Sequence, residues 1–113
     1  MKEFEKKSDC LENTLCILGD QWTALILRDL SLEPCTFSQL ENSLDSISPR
    51  TLSQRLEHLL RQEIIEKQLY CPHPPRYHYV LTNKGIELQD VLEKMVEWGE
   101  KYKPKQTQEV TSK

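Results

Sequence analysis

The chain contains 113 residues, of which 37% are hydrophobic and 29% charged, with only three glycines. This composition is typical of one helix-rich globular domain and excludes a fibrous or disordered chain. No run approaches the roughly 18 apolar residues that a membrane-spanning helix needs, and residues 1–9 lack the apolar core of a secretory signal. We therefore expect a cytoplasmic protein without membrane contact, in which Cys10, Cys16, Cys35 and Cys71 are reduced thiols.

The formal net charge of −3 is unevenly distributed along the sequence. Residues 46–82 carry five arginine or lysine residues against three glutamates, a net charge of +2, which leaves −5 on the remainder. Because a nucleic acid responds to the sign of one face rather than to the total charge, this segment is still suited to phosphate. The acidic total predicts weak nonspecific DNA binding with a strong salt dependence.

Two helices are predicted before residue 34. Residues 11–18 form a short amphipathic stretch that ends at Gly19, a residue type common just after a helix. Asp20 is placed to cap the next helix, and Pro34 ends it. The apolar residues of this second helix recur at helical spacing, as Trp22, Leu25, Ile26 and Leu30.

Two further helices, joined by a tight polar turn, follow directly. The first begins with a capping box, in which Thr36 caps the helix and Gln39 reaches back to the cap. The second has Ser48 as its N-cap and Pro49 at its first position. Two short helices with a tight turn between them predict a helix-turn-helix.

The second of these helices carries a polar, arginine-bearing face opposite its leucines. Arginine pairs with guanine and glutamine with adenine, whereas serine and threonine bind phosphates or base edges. The alternative is an ordinary solvated helix face, but the turn before this helix and the hairpin predicted after it favour DNA. The expected DNA contacts are Ser48, Arg50, Thr51, Ser53, Gln54, Arg55, His58 and Arg61.

A β-hairpin is predicted after the helix-turn-helix. The β-prone residues at 64–65 and 69–70 and the segment 77–81 flank three prolines, which are best placed at a hairpin tip. A helix-turn-helix followed by a hairpin is a winged helix. Arg76 at the tip is expected to contact the DNA backbone or minor groove, with Lys67 a weaker candidate; an ordinary exposed loop arginine is almost as good an interpretation.

Thr82 is predicted to cap a final helix over residues 83–101, which is long for so small a domain. Part of its apolar stripe is expected to cover the hairpin. Together with residues 11–18 it can form a two-fold interface that sets two recognition helices about one DNA turn apart. The expected interface residues are Leu11, Leu15, Leu88, Val91, Leu92, Met95 and Trp98. The domain is predicted to span residues 1–103, and residues 104–113 to form a disordered tail.

The cysteines suggest a second type of chemistry. Cys10 lies close to the start of the first helix, where the thiolate form is favoured, and is a candidate redox sensor. Cys35, just before a helix cap, is the second candidate, whereas Cys16 in an apolar stretch is expected to be buried and inert. A structural role is the commoner case for such cysteines.

No metal, cofactor or catalytic site is predicted. Cys71, His73 and His78 are close in sequence, but intervening prolines and the lack of further ligands argue against a metal. There is no glycine-rich phosphate loop, no HExxH motif and no nucleophile with an evident base, so an enzyme is not expected.

Several segments, taken in order, resemble the HxlR-type family of winged-helix regulators, which is related to the MarR family. They are LGDQW (18–22), LILRDL (25–30), FSQL (37–40), ISPRTLSQRL (47–56) and YHYVLTNKG (77–85). The resemblance runs from about Cys10 to Trp98. It implies a dimer built from the first and last helices, with residues 48–61 as the recognition helix, that represses or activates genes for stress or metabolic responses.

The chain departs from the family pattern at two positions. Some members carry an N-terminal Cys-Pro that responds to electrophiles or oxidants, whereas here Cys10 precedes Leu11 and its register from Trp22 differs by one. Asp20 stands where the family usually has glycine.

We therefore predict a mainly helical α+β protein, a winged helix-turn-helix with N- and C-terminal dimerisation helices. Its predicted function is sequence-specific DNA binding as a homodimeric transcriptional regulator on a pseudo-palindromic operator of double-stranded DNA. The alternatives are a winged-helix module for protein contacts without DNA binding, which the acidic net charge would suit, and a thiol-based redox sensor.

Overall fold

The computed structural model describes residues 8–104, which form five helices and one two-stranded antiparallel sheet. In chain order the elements are α1 (Ser8–Leu18), α2 (Gln21–Leu32), α3 (Phe37–Ser43), α4 (Pro49–Arg61), β1 (Ile65–Pro72), β2 (Pro75–Leu81) and α5 (Asn83–Lys101). The predicted mainly helical α+β class and the order of helix-turn-helix and hairpin are confirmed. None of the helices over residues 8–104 is long and apolar enough to cross a membrane. The predicted tail beyond Pro104 lies outside the described residues.

Polar side chains cap four of the helices, as predicted. At α3, Thr36 Oγ1 accepts a hydrogen bond from Gln39 N at 3.1 Å, and Thr36 N donates to Gln39 Oε1 at 2.9 Å. At α4, Ser48 Oγ accepts from Thr51 N at 3.1 Å, ahead of a proline in the first turn. Each cap satisfies a backbone N–H that has no partner within its helix. The residues that cap α2 and α5 are Asp20 and Thr82.

Helix α2 lies at the centre of the molecule and packs against α1, α3, α4, α5 and β2. Each large aliphatic side chain removed from water stabilises the fold by about 1.5–3 kcal/mol relative to its exposed state. The shared core therefore holds the helix-turn-helix, the hairpin and α5 as one body. Its most deeply buried aliphatic residues are Ile26, Leu27, Leu40, Leu52, Leu56, Leu59, Ile64 and Ile65.

Strands β1 and β2 form the predicted hairpin. Ile65 lies opposite Leu81, the pairing is irregular between Leu69 and Cys71, and Pro72 lies opposite Pro75 where the two strands end. The prolines thus surround the turn at the tip, where no ladder hydrogen bond is required of them.

The base of the hairpin is fastened to the start of α3 by a contact that the sequence analysis did not predict. Cys35 N donates to Tyr79 O at 3.2 Å, and Tyr79 N donates to Cys35 O at 2.7 Å. Both residues are buried. The hairpin is therefore held from the helix-turn-helix side as well as by its own two strands.

Helix α4 is followed by a turn that the beginning of α5 holds in place. Glu63 in this turn has a positive φ of 60°, a conformation that costs a non-glycine residue about 1–2 kcal/mol. Thr82 Oγ1 donates to Glu63 O at 2.6 Å, and Thr82 N donates to Ile64 O at 3.0 Å. Lys84 Nζ donates to Gln62 O at 2.8 Å. These bonds offset the cost of the turn and tie α4 to α5.

Gly85 allows α5 to approach this turn closely, which gives a testable difference between two glycines of the same helix. A Cβ atom at residue 85 would lie 2.1 Å from Ile64 O, whereas at Gly99 it would meet nothing within 4 Å. We expect Gly85→Ala to lower the free energy of unfolding by about 3 kcal/mol. Gly99→Ala should raise it by about 0.5–1 kcal/mol through helix propensity. Urea unfolding followed by circular dichroism measures both, and equal effects would contradict the close approach.

Candidate nucleic-acid interface

The outer face of α4 carries four exposed polar side chains without negative charge, those of Arg50, Ser53, Gln54 and Arg61, and it also exposes the carboxylate of Glu57. The opposite face is anchored in the core by buried leucines. Within residues 8–104, none of the four side chains makes a hydrogen bond to another residue. Their donors and acceptors are therefore available to a partner outside the chain. We call these four residues the α4 outer face.

Ser48 and Thr51, also predicted as DNA contacts, lie at the N-terminus of α4. Besides accepting the capping bond, Ser48 Oγ donates to Thr51 Oγ1 at 2.9 Å. The Ser48 hydroxyl thus both accepts and donates at the start of the helix, whereas Thr51 Oγ1 accepts one bond and keeps its own O–H to donate. Ser48 is exposed and Thr51 half-buried, so both remain at the rim of the α4 outer face.

Arg55 and His58 occupy a different environment from the α4 outer face. Arg55 Nε donates to Asp20 Oδ2, which makes an ion pair between α4 and the start of α2. His58 is half-buried and lines a small crevice beside this pair, which Cys16 and Ile17 of α1 also line. Two of the predicted contacts therefore face the junction of α1 and α2 at one flank of α4.

The hairpin exposes Arg76 and several aromatic side chains. Arg76 lies opposite Cys71 near the tip. Lys67 Nζ lies 5.2 Å from the centroid of the Tyr77 ring, a cation–π distance. Tyr70 stacks on His78 with their centroids 5.1 Å apart. Among the residues that the structure describes, no group of three or more His, Cys, Asp or Glu side chains is arranged to hold a metal ion.

Five of the seven residues predicted for the dimer interface are exposed: Leu11, Leu15, Val91, Met95 and Trp98. We call them the α1/α5 apolar surface. Trp98 is 67% exposed, a large fraction for an apolar side chain of this size.

The other two predicted interface residues pack within their own chain instead. Leu92 is 8% exposed and belongs to the core, and Leu88 packs against that core. Four further apolar residues, which were not predicted for the interface, are also exposed. These are Leu32, Ile86, Val96 and Tyr102.

The cysteines separate into exposed and shielded thiols. Cys10 and Cys16 are both exposed on α1, so the expectation that Cys16 is buried was wrong. Cys35 is buried, and its burial raises the pKa of its thiol, an effect reinforced by the negative charges of Asp29 and Glu33. Because the thiolate is the reactive form, burial and the raised pKa of its thiol disfavour Cys35 as the second redox candidate.

The side chain of Asp29, which lies near Cys35, has two hydrogen-bond partners. Asp29 Oδ1 accepts from Arg28 Nη2 at 3.1 Å, and Asp29 Oδ2 accepts from Ser43 Oγ at 2.6 Å. A charged group that is largely removed from water requires such partners. The acidic surroundings of Cys35 are therefore a fixed part of the fold.

Thiol reactivity should follow this division. We expect iodoacetamide to modify Cys10 and Cys16 at least about tenfold faster than Cys35 near neutral pH, because both burial and thiol pKa oppose reaction at Cys35. Mass spectrometry of peptides after timed quenching measures the order. Urea-unfolded protein is the control, in which Cys35 should react like the others. Modification of folded Cys35 as fast as Cys10 would contradict the shielded environment.

A pH dependence of stability follows from the same thiol. The pKa of Cys35 is higher in the folded than in the unfolded state, so its contribution to stability is complete below the ordinary thiol range and is lost as pH rises through the folded pKa. Unfolding from about pH 7 to about pH 10, compared with Cys35→Val, isolates this contribution. Parallel curves for the two proteins would contradict it.

Comparison with known proteins gives consistent matches over most of the chain. The sequence model described as HxlR-like helix-turn-helix matches residues 17–107. The chain is 33% identical over 92 residues to the HTH-type transcriptional regulator YodB of Bacillus subtilis (strain 168). The matched region covers 81% of this chain and 82% of that protein.

Solved structures agree with this match. The reduced form of YodB gives a TM-score of 0.74, covering 81% of this chain and 90% of that one at 33% identity. A MarR-family protein from Enterococcus faecalis V583 gives 0.80 at 25% identity, covering 90% and 93%. The redox regulator HypR in its oxidised form gives 0.75 at 28% identity, covering 83% and 97%.

Proposed function

The chain belongs to the HxlR-like helix-turn-helix family of DNA-binding transcriptional regulators, and from this premise we propose that it acts as a homodimer whose α4 helices read a pseudo-palindromic operator. The observation that carries the proposal is the α4 outer face, whose polar groups have no hydrogen-bond partner within residues 8–104. Because its target is chromosomal DNA, we place its action in the cytoplasm.

The α4 outer face offers both base recognition and phosphate binding. Arg50 lies in the first turn of α4, the end that enters the major groove in this motif, and its guanidinium fits guanine O6 and N7. Gln54, one turn later, suits adenine. Arg61 at the far end and Ser53 at the side suit the phosphate backbone.

The remaining predicted contacts surround this centre. We assign Ser48 and Thr51 to a phosphate near the N-terminus of α4, where backbone N–H groups add to the attraction. Arg76 on the hairpin is assigned to the flanking backbone or minor groove. His58 lies at the flank of α4 and is assigned no base.

The α1/α5 apolar surface supports the homodimer. Large apolar side chains exposed on a small protein, as on α1 and α5 here, are typical of surfaces used for protein–protein contacts. A two-fold axis through it would pair the same residues of both subunits and present two α4 helices to successive half-sites.

A redox response is the second candidate function, and one observation favours it. Cys10 and Cys16 are exposed on α1, the helix that contributes Leu11 and Leu15 to the α1/α5 apolar surface. Oxidation of either thiol would place a polar sulfur acid or a disulfide bond next to the proposed interface. The neighbour HypR is described as a redox regulator, and YodB has been solved in a reduced form.

DNA binding is tested by selecting genomic fragments with reduced protein and titrating the best site with variants. Arg50→Ala should weaken binding by about 10- to 100-fold and relax selectivity at one base pair. Lys94→Ala, which removes an exposed cation of α5, is the matched control and should change affinity less than about twofold. Absence of selective, salt-sensitive duplex binding would overturn the proposal and favour a protein partner.

Dimerisation is tested by placing a charge in the α1/α5 apolar surface. Met95→Glu should convert the dimer to monomer at micromolar concentration, because an interface buries carboxylates only at high cost. Leu69→Glu, at an exposed apolar residue of β1, is the control and should leave the dimer intact. Sedimentation equilibrium measures both. A wild-type monomer, or a Met95→Glu dimer of unchanged strength, would contradict this interface.

A further inference from the structure

The carboxylate of Asp20 joins the start of α2 to the recognition helix α4. Asp20 Oδ1 accepts from Trp22 N at 3.4 Å, and Oδ2 accepts from Thr23 Oγ1 at 3.4 Å and from Arg55 Nε. About two thirds of each partner is shielded from water, since the Asp20 and Arg55 side chains are 31% and 33% exposed. Shielding of this degree makes the ion pair stronger than one fully in water.

The charge of Asp20 is not required for its role as a helix cap. Asparagine, serine and even glycine serve at this position with a similar or slightly smaller benefit. What only a carboxylate provides is a full negative charge for the guanidinium of Arg55, 35 residues further along the chain. The function of the charge must therefore be sought at Arg55.

Arg55 lies where its guanidinium could bind a DNA phosphate if Asp20 did not hold it. It follows Thr51 by one helical turn along the same flank of α4, and Gln54 of the α4 outer face lines the crevice that contains the ion pair. Side chains on the flank of a recognition helix lie nearest the phosphates that border the major groove. Carboxylate and phosphate oxygens compete for the same guanidinium donors.

We propose that Asp20 is an affinity-setting residue, an internal carboxylate that holds Arg55 in place of a DNA phosphate and so weakens operator binding. This inference rests on the proposed function. It gives Arg55 a role different from that of Arg50 and Arg61, whose guanidinium groups make no hydrogen bond within residues 8–104. A phosphate gains the full charge and the Nε donor of Arg55 when the pair with Asp20 opens.

The test compares operator affinity across salt concentrations for four variants. Asp20→Asn keeps a capping oxygen but removes the charge, and should tighten binding about three- to tenfold. Its plot of log affinity against log salt should be steeper by about one, the value for one added phosphate contact. Arg55→Gln alone should change affinity less than about twofold. Arg55→Gln added to Asp20→Asn should cancel both the gain and the steeper slope.

Asp45→Asn is the matched control. Asp45 is an exposed carboxylate in the turn before α4 and has no arginine partner among residues 8–104. An equal gain from Asp45→Asn would show that Asp20 acts only through total charge, and would overturn the proposal. So would a tenfold loss from Arg55→Gln alone, because Arg55 would then already bind DNA. Weaker binding by Asp20→Asn with an unchanged salt slope would reduce Asp20 to a structural cap.

A second measurement needs no DNA. Urea unfolding of the free wild type, both single variants and the double variant forms a double-mutant cycle for the ion pair. The change in the unfolding constant of the double variant should differ by about three- to tenfold from the product of the changes in the two single variants. If the double variant equals that product, the ion pair does not stabilise the protein and the proposal fails. If neither the wild type nor Asp20→Asn binds duplex, both the proposed function and this inference fail. If the wild type binds and Asp20→Asn binds equally, only this inference fails.

Discussion

The close approach of α5 to the turn after α4 determines how the parts of this protein are arranged. Gly85 lacks the side-chain atom that would strike Ile64 O, and this leaves Thr82 within hydrogen-bond distance of the same turn. The end of α4, the start of the hairpin and the start of α5 consequently meet at one point. The helix proposed to read DNA and the helix proposed to dimerise thus belong to one body.

The local features of this fold could be predicted because they depend on residues within four positions of one another. The caps at Asp20, Thr36 and Ser48 are examples, as are the prolines at the hairpin tip. Contacts between distant residues could not be predicted, since no spacing in the sequence pairs Asp20 with Arg55 or Cys35 with Tyr79.

Apolar periodicity identifies a helix face but does not say what covers it. Leu92 and Met95 belong to the same predicted stripe, yet Leu92 lies in the core of its own chain and Met95 is exposed. Cys16 differs from its expected burial for the same reason, because α1 has only one side against α2. The acidic net charge likewise does not indicate the charge of a single helix. On α4, one arginine is paired with Asp20 and two remain exposed.

Because Thr82 is hydrogen-bonded to the turn after α4, a rotation of α5 also moves α4. The 19 residues of α5 span about 28 Å at the usual rise per residue, comparable to one turn of DNA. A change of about 10° in the tilt of α5 at a dimer axis would displace the attached recognition helix by about 5 Å. That displacement would move α4 out of alignment with the major groove of its half-site. In the proposed dimer, any modification that reorients the two α5 helices would therefore act on DNA binding without touching the residues proposed to face the groove.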